Sequence, residues 1–262
     1  MQKSLRSSPR ILFCCPRCPQ TYSHRGFDRN LTSYWNDGKK ENVQFALTSG
    51  GVEMKVIDAA NWPRKSQFEF FRSLPAPHFS VTSNLDVTNL VAQIKTKDIS
   101  AFNACLYCIM GAANAVPELR MRFRENTVIE HEVVHASTTV PIDNSRFAFC
   151  SIKFVSDWSQ FNASCIRAIE KSKQQTELRE HIGDSDEWIF LSCLPWMSFT
   201  ALSNPNSGPD DCIPRISWGK FQRQGSDWLM PVSVQVHHAL VDGIHLGKFY
   251  EVLAENIVNL KA

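Results

Sequence analysis

Val232-Ser-Val-Gln-Val-His-His238-Ala-Leu-Val-Asp242-Gly243 is the stretch on which the fold turns. Its first half alternates: Val232, Val234 and Val236 share one face, as on a strand with one side buried. A strand is predicted over Leu229–His238, and it delivers two adjacent histidines. Neighbouring strand residues point to opposite sides, so one imidazole can face a site while the other packs. Asp242-Gly243 then turns the chain. A helix follows from about Ile244, with Leu246, Phe249, Leu253, Ile257 and Leu260 on its inner side. A neutral imidazole near physiological pH is suited to act as general base in the acylation of a hydroxyl or thiol. A fixed carboxylate nearby would hold it in one tautomer. The plain alternative is a histidine pair capping a strand, with Asp242 merely turning the chain.

Working outward, strands and helices interleave. Phe79–Thr82 reads as a short strand, and Leu85–Ile94 as a helix opened by Asp86. The apolar positions of Ala101–Val116 recur as on a buried helix, which stops at Pro117. Thr127–Val140 is rich in β-branched residues and reads as extended strands, as does Ala148–Val155. Asp157–Gln175 carries Trp158, Phe161, Cys165, Ile166 and Ile169 at helical spacing, with Ser156 as the expected N-cap. Trp188–Cys193 is a further strand. Such a pattern gives an α/β or α+β sandwich.

Composition excludes several classes. The chain has 262 residues, 43% hydrophobic and 21% charged, with a net charge of +2. That is too apolar and too balanced for a disordered chain. No apolar run approaches the roughly 18 residues of a membrane-spanning helix. The charge gives no field that argues for nucleic acid. The nine cysteines are irregularly spaced with no secretory signal before them, and the later six read as reduced, mostly buried thiols of a cytoplasmic protein. The pairs Cys15/Cys18 and Cys105/Cys108 lie much farther apart than the halves of a zinc ribbon. Core cysteines on a helix is the reading for the second pair. His131-Glu-Val-Val-His135 matches the zincin pattern, which needs a helix to bring both imidazoles to one metal. Its surroundings form strand, where four residues span roughly 13 Å, so no metal site is expected.

Residues 1–53 differ from the rest. They lack sustained periodicity and hold eight Lys/Arg against four acids, leaving the remainder at −2. A poorly ordered extension is expected here, ahead of a catalytic domain over 54–262. It reads either as a targeting segment or as sequence upstream of a true start at Met54.

At His237-His238-Ala-Leu-Val-Asp242-Gly243 the sequence resembles the acyl-CoA-dependent acyltransferases, and among their single-module members the chloramphenicol acetyltransferase family. Four segments support this in family order. They are Ile57–Arg72, Pro117–Met121, Ser192-Cys-Leu-Pro-Trp196 and Pro231–His238. The resemblance implies a two-layer α/β sandwich with a mixed sheet packed by helices on one side. It also implies a homotrimer with sites between subunits, and direct acetyl transfer from acetyl-CoA to a hydroxyl, the chemistry of antibiotic resistance by acetylation. It assigns His238 as general base and Ser192 as support of the oxyanion. Asp242 pairs with Arg64 to maintain site geometry. Ser217, where the family has threonine, binds a bridging water. Lys220 and Phe221 stand near the coenzyme, and Lys220 and Arg223 are placed to meet its phosphates.

Two departures bear on the acceptor. The family tyrosine of the acceptor pocket is Phe71 here, and Thr138-Thr-Val-Pro-Ile-Asp143 carries none of the expected aromatics. Chloramphenicol, another alcohol and an amine therefore remain as acceptor readings. A non-catalytic trimeric relative is the rival from another class.

Overall fold

The computed structural model describes residues 44–47, 53–58, 60–124, 127–178 and 185–260. Most of the expected extension 1–53, with Cys15 and Cys18, lies outside them. In chain order the elements begin with β1 (Gln44–Leu47), β2 (Glu53–Ile57), α1 (Lys65–Arg72), β3 (His78–Asp86), α2 (Thr88–Lys97) and α3 (Ala101–Ala115). Next come α4 (Pro117–Arg120), β4 (Met121–Arg124), β5 (Thr127–His131), β6 (His135–Pro141), β7 (Phe147–Ile152) and α5 (Trp158–Lys173). The chain ends with β8 (Trp188–Leu194), β9 (Arg215–Gly219), β10 (Gln222–Gln224), β11 (Asp227–His237) and α6 (Gly243–Asn259). Among the described residues no helix is long and apolar enough to cross a membrane.

Two sheets form. The smaller, in the order β1-β2-β5-β4, is antiparallel throughout. The larger runs β10-β11-β9-β8-β6-β7, with β3 along the other edge of β11. It is mixed, because β6–β8 and β8–β9 pair in parallel while the remaining pairs are antiparallel. This is the α/β sandwich expected from the interleaved pattern.

Alternation along β11 divides this sheet into two faces. Val232, Val234 and Val236 are buried beside Trp218 and Ile216 of β9, on the side where α2, α3, α5 and α6 pack. The opposite face is polar: Ser233 lies beside Ser217, Gln235 beside Arg215, and Ser217 beside Ser192. The segment between β8 and β9 crosses that face and satisfies it. Leu202 O accepts from Ser233 Oγ at 3.3 Å, and the Asn204 backbone bonds both ends of the Gln235 amide, at 2.6 and 3.0 Å.

The helices follow local chemistry, with adjustments. Ser100 caps α3, its Oγ accepting from Asn103 N, and the extended Val116 before Pro117 ends it. Cys105 and Cys108 are buried thiols of α3 facing Met230 and Asn256 O. Gly111 lets α6 approach, since a Cβ there would lie 3.0 Å from Asn256 Nδ2. The N-cap of α5 is Asp157, not Ser156: Asp157 Oδ1 accepts from Gln160 N at 2.8 Å, while Ser156 spends its carbonyl on the Tyr107 hydroxyl. The helix after β3 starts at Thr88, not Leu85, because Leu85 and Asp86 still pair with β11. Asp86 keeps its initiating role by accepting from Thr88 N.

His131 and His135 end one strand and begin another, in different sheets. His131 Nε2 meets Asp186 Oδ1 at 2.8 Å, and His135 Nδ1 accepts from Phe154 N. Among the described residues no group of three or more His, Cys, Asp or Glu is placed to hold a metal ion.

Candidate active site

The end of β11 presents the histidine pair as its alternation requires. His237 is buried, with Nε2 against Pro209 O at 2.9 Å and Nδ1 accepting from Ala239 N. Burial pushes its pKa down to about 4, helped by the nearby His78 and Arg72 charges, against the pull of the Pro209 carbonyl and Asp210. It is a neutral packing residue. His238, one position on, is the half-exposed member.

Four partners surround the His238 ring. Phe71 of α1 stacks on it, with centroids 3.7 Å apart, and Phe79 of β3 closes from another side at 4.5 Å. The backbone N of His238 donates to Pro77 O at 2.9 Å, anchoring the strand end. At Nδ1 the ring meets two acceptors, Val241 O at 3.2 Å and Asp242 Oδ1 at 3.0 Å. Two acceptors there require a hydrogen on Nδ1. In the neutral ring this leaves the lone pair on Nε2, the arrangement a general base needs.

Asp242 is held in turn by Arg64, whose Nη1 donates to Oδ2. Burial works to raise the Asp242 pKa, but the Arg64 hydrogen bond and the charges of Arg64, His238 and His245 outweigh it, so the carboxyl stays below its usual value. Asp242 is also the N-cap of α6. One carboxylate thus starts the helix, neutralises Arg64 and contacts the His238 ring.

Ser192 and Ser217 are elsewhere in the chain. They sit side by side on β8 and β9, on the polar face. Ser192 borders a cavity of about 250 Å³ with Ser137, Phe149, Phe190, Asn204 and Arg215. The path from Ser233, which pairs with Ser217, to His238 spans roughly 17 Å at strand rise. Within one chain, therefore, His238 and Ser192 do not meet.

The helix-side face of the same strands borders a larger cavity of about 580 Å³. Its walls include Phe102, Trp196, Trp218 and Phe221, with Lys173 and Lys220 as cations. Gly219 is required here: a Cβ would lie 2.8 Å from Met197 O and from Pro231 Cγ. Arg223 is exposed on β10, its Nε donating to Gly225 O, and does not line this cavity. Thr139, from the stretch lacking aromatics, borders both cavities.

Phe79, Glu118 and His245 also belong to the His238 neighbourhood, and local sequence gave no signal for them. His245 has Nδ1 2.9 Å from Asp242 N and Nε2 3.5 Å from Glu118 Oε1. A histidine three residues into a helix reads as an ordinary inner-face residue until the fold brings Glu118 to it.

Comparison with known proteins adds to this geometry. The chloramphenicol acetyltransferase family model matches residues 52–254. A chloramphenicol acetyltransferase 3 of Escherichia coli is 32% identical over 201 residues, covering 76% of this chain and 94% of that protein. One of Bacillus pumilus is 32% identical over 203 residues, covering 76% and 91%. A solved chloramphenicol acetyltransferase structure superposes with a TM-score of 0.72 at 25% identity, over 78% of this chain and 99% of that one. A dihydrolipoamide acetyltransferase of Azotobacter vinelandii shares the fold, with a TM-score of 0.57 at 15% identity, over 74% and 86%. The fold, the match across most of the chain and the relatives at this identity place the chain in the chloramphenicol acetyltransferase family, as an acyltransferase of that type.

Proposed function

We propose that the protein transfers acetyl from acetyl-CoA to a hydroxyl of chloramphenicol or a similar small acceptor, with His238 as general base. The observation that carries this is the placement of Val241 O and Asp242 Oδ1 at His238 Nδ1, contacts that suit a hydrogen there and a lone pair on Nε2. Nε2 takes the proton of the acceptor hydroxyl as its oxygen attacks the thioester carbonyl. The Ser192 hydroxyl donates to the resulting oxyanion. When the tetrahedral adduct collapses, the C–S bond breaks and the coenzyme thiolate takes the proton from imidazolium. No acyl-enzyme forms. Ser217, beside Ser192, holds a bridging water. The larger cavity suits the pantetheine arm, with Lys220 and Phe221 at its wall and Lys220 and Arg223 toward the phosphates.

The same proposal makes the working molecule a homotrimer. His238 of one copy would reach Ser192 of the next, which accounts for their separation within a chain. A cytoplasmic setting belongs to this reading, since Cys105, Cys108, Cys150 and Cys165 pack as buried thiols. A thiol-release assay with acetyl-CoA and an acceptor panel tests it. Release with chloramphenicol that vanishes in His238→Ala is expected. A folded trimer silent across the panel would favour the non-catalytic relative, and turnover only with an amine would reassign the acceptor.

A further inference from the structure

Both acceptors at His238 Nδ1, the Val241 carbonyl and the Asp242 carboxylate, come from one turn at the start of α6. Whatever holds that turn therefore holds the base. Arg64 secures the carboxylate from one side. From the helix, the third residue, His245, closes the turn in the manner of a capping box: Asp242 N donates to His245 Nδ1, and His245 N donates back to Asp242 O at 3.1 Å. Capping boxes ordinarily use Glu or Gln at this position. A Glu here would set a second carboxylate beside Asp242, competing for Arg64. A neutral imidazole accepts the same backbone N–H without adding charge.

That acceptance demands a particular state. Nδ1 of His245 must be bare, so its hydrogen sits on Nε2. Glu118 Oε1 lies 3.5 Å from that nitrogen. Both side chains are largely enclosed, His245 at 11% exposure and Glu118 at 21%. Burial, with the Arg64 charge, works to keep the imidazole neutral, against the pull of Glu118 and Asp242. Glu118 belongs to α4, far from α6 in sequence, so the link crosses between elements.

We infer that His245 and Glu118 are positioning residues for the general base. Glu118 sets the His245 tautomer, His245 fixes the Val241–Asp242 turn, and the turn presents both acceptors to His238 Nδ1. Neither residue touches the reacting atoms. The inference rests on His238 as base, as proposed above.

The test uses the full-length protein with acetyl-CoA and chloramphenicol. In His245→Ala, kcat is expected to fall about 10- to 100-fold, the usual cost of losing a group that orients a ligand or base from behind. KM for both substrates should stay within about 2-fold, a change too small to signal lost contacts. Nitrogen-15 NMR of the His238 ring should show the Nδ1–H form dominant in the parent and mixed with Nε2–H in the variant. His245→Gln, whose amide oxygen can accept from Asp242 N, should recover most of both signals. If His245→Ala does not fold, Glu118→Ala carries the test, with the same direction in kcat and tautomer. Unchanged kcat and unchanged tautomer in a folded variant would overturn the inference. Undiminished turnover in His238→Ala would instead overturn the proposed base. The tautomer readout needs no turnover and judges the His245 link separately.

Discussion

The ring of Phe71 lies flat on the imidazole of His238, with centroids 3.7 Å apart and planes 12° from parallel. Stacking of this kind restricts ring rotation and excludes water from one face of the imidazole. It also puts position 71 directly against His238, where the family resemblance expects tyrosine. Phe71→Tyr adds one hydroxyl to a ring already seated. KM for chloramphenicol should fall by about 2- to 10-fold, one hydrogen bond's worth, with kcat nearly constant. Steady-state kinetics with the acceptor varied decides this. A rise in KM would mean that the acceptor avoids the ring edge.

The distance between His238 and the Ser192–Ser217 pair leads to a complementation experiment. His238→Ala should lose about 10²- to 10⁴-fold in kcat, and Ser192→Ala about 10²- to 10³-fold. If one copy supplies the base and its neighbour the serine, trimers refolded from an equal mixture of the two variants hold intact sites. Random assembly makes these about a quarter of all sites. Recovered activity near a quarter of the parent value is expected. Absence of recovery in mixed trimers would place both residues of a site in one chain.

Asp242 both caps α6 and neutralises Arg64, and two substitutions separate the roles. Asp242→Asn keeps an oxygen for the cap but leaves the guanidinium without its counter-charge. Asp242→Ala loses the cap as well and should cost about 1 kcal/mol more in urea unfolding. Because the folded-state pKa of Asp242 is lowered, its ionic contribution is present above the unfolded value near 3.8. The gap between parent and Asp242→Asn should therefore close as pH falls from 3.8 through the folded value.

His237 gives a pH dependence of opposite origin. Its folded pKa is about 4 against 6.5 for a free histidine, so between these values the unfolded chain binds a proton that the folded chain refuses. Stability should rise with pH across that window and be lost on acidification through it. His237→Gln, able to donate to Pro209 O, should flatten the slope of melting temperature against pH between 4 and 6.5. An unchanged slope would assign the dependence to other histidines.

What was legible in the sequence was local. The valine alternation of β11, the Asp-Gly turn and the apolar stripe of α6 lie within thirty-odd neighbouring residues and announce themselves by period. The buried helix α3 and its stop at Val116-Pro117 were equally plain. Element borders were not, where two capping residues compete: Ser156 and Asp157 are adjacent, and the choice turns on which oxygen the fold commits to Tyr107. Long-range closure was invisible to pattern alone. Arg64 reaches Asp242 from the opposite end of the domain, and only the family resemblance pointed to the pair. Arg122 had no signal at all. It is completely buried, and its guanidinium donates to the carbonyls of Leu119, Met121, Asp186 and Trp188, tying β4 to the start of β8. A charged residue in a short basic run looks like surface until four carbonyls converge on it.

The two unlike faces of β11 have a consequence for how the gene tolerates change. Substitutions at Val232, Val234 and Val236 should reduce the yield of folded protein while sparing the specific activity of what survives. Those at Ser233 and Gln235 should do more harm to turnover per folded molecule than to yield. Scored position by position for abundance and for acyl-transfer activity, the strand should beat with a period of two, the two traces out of phase.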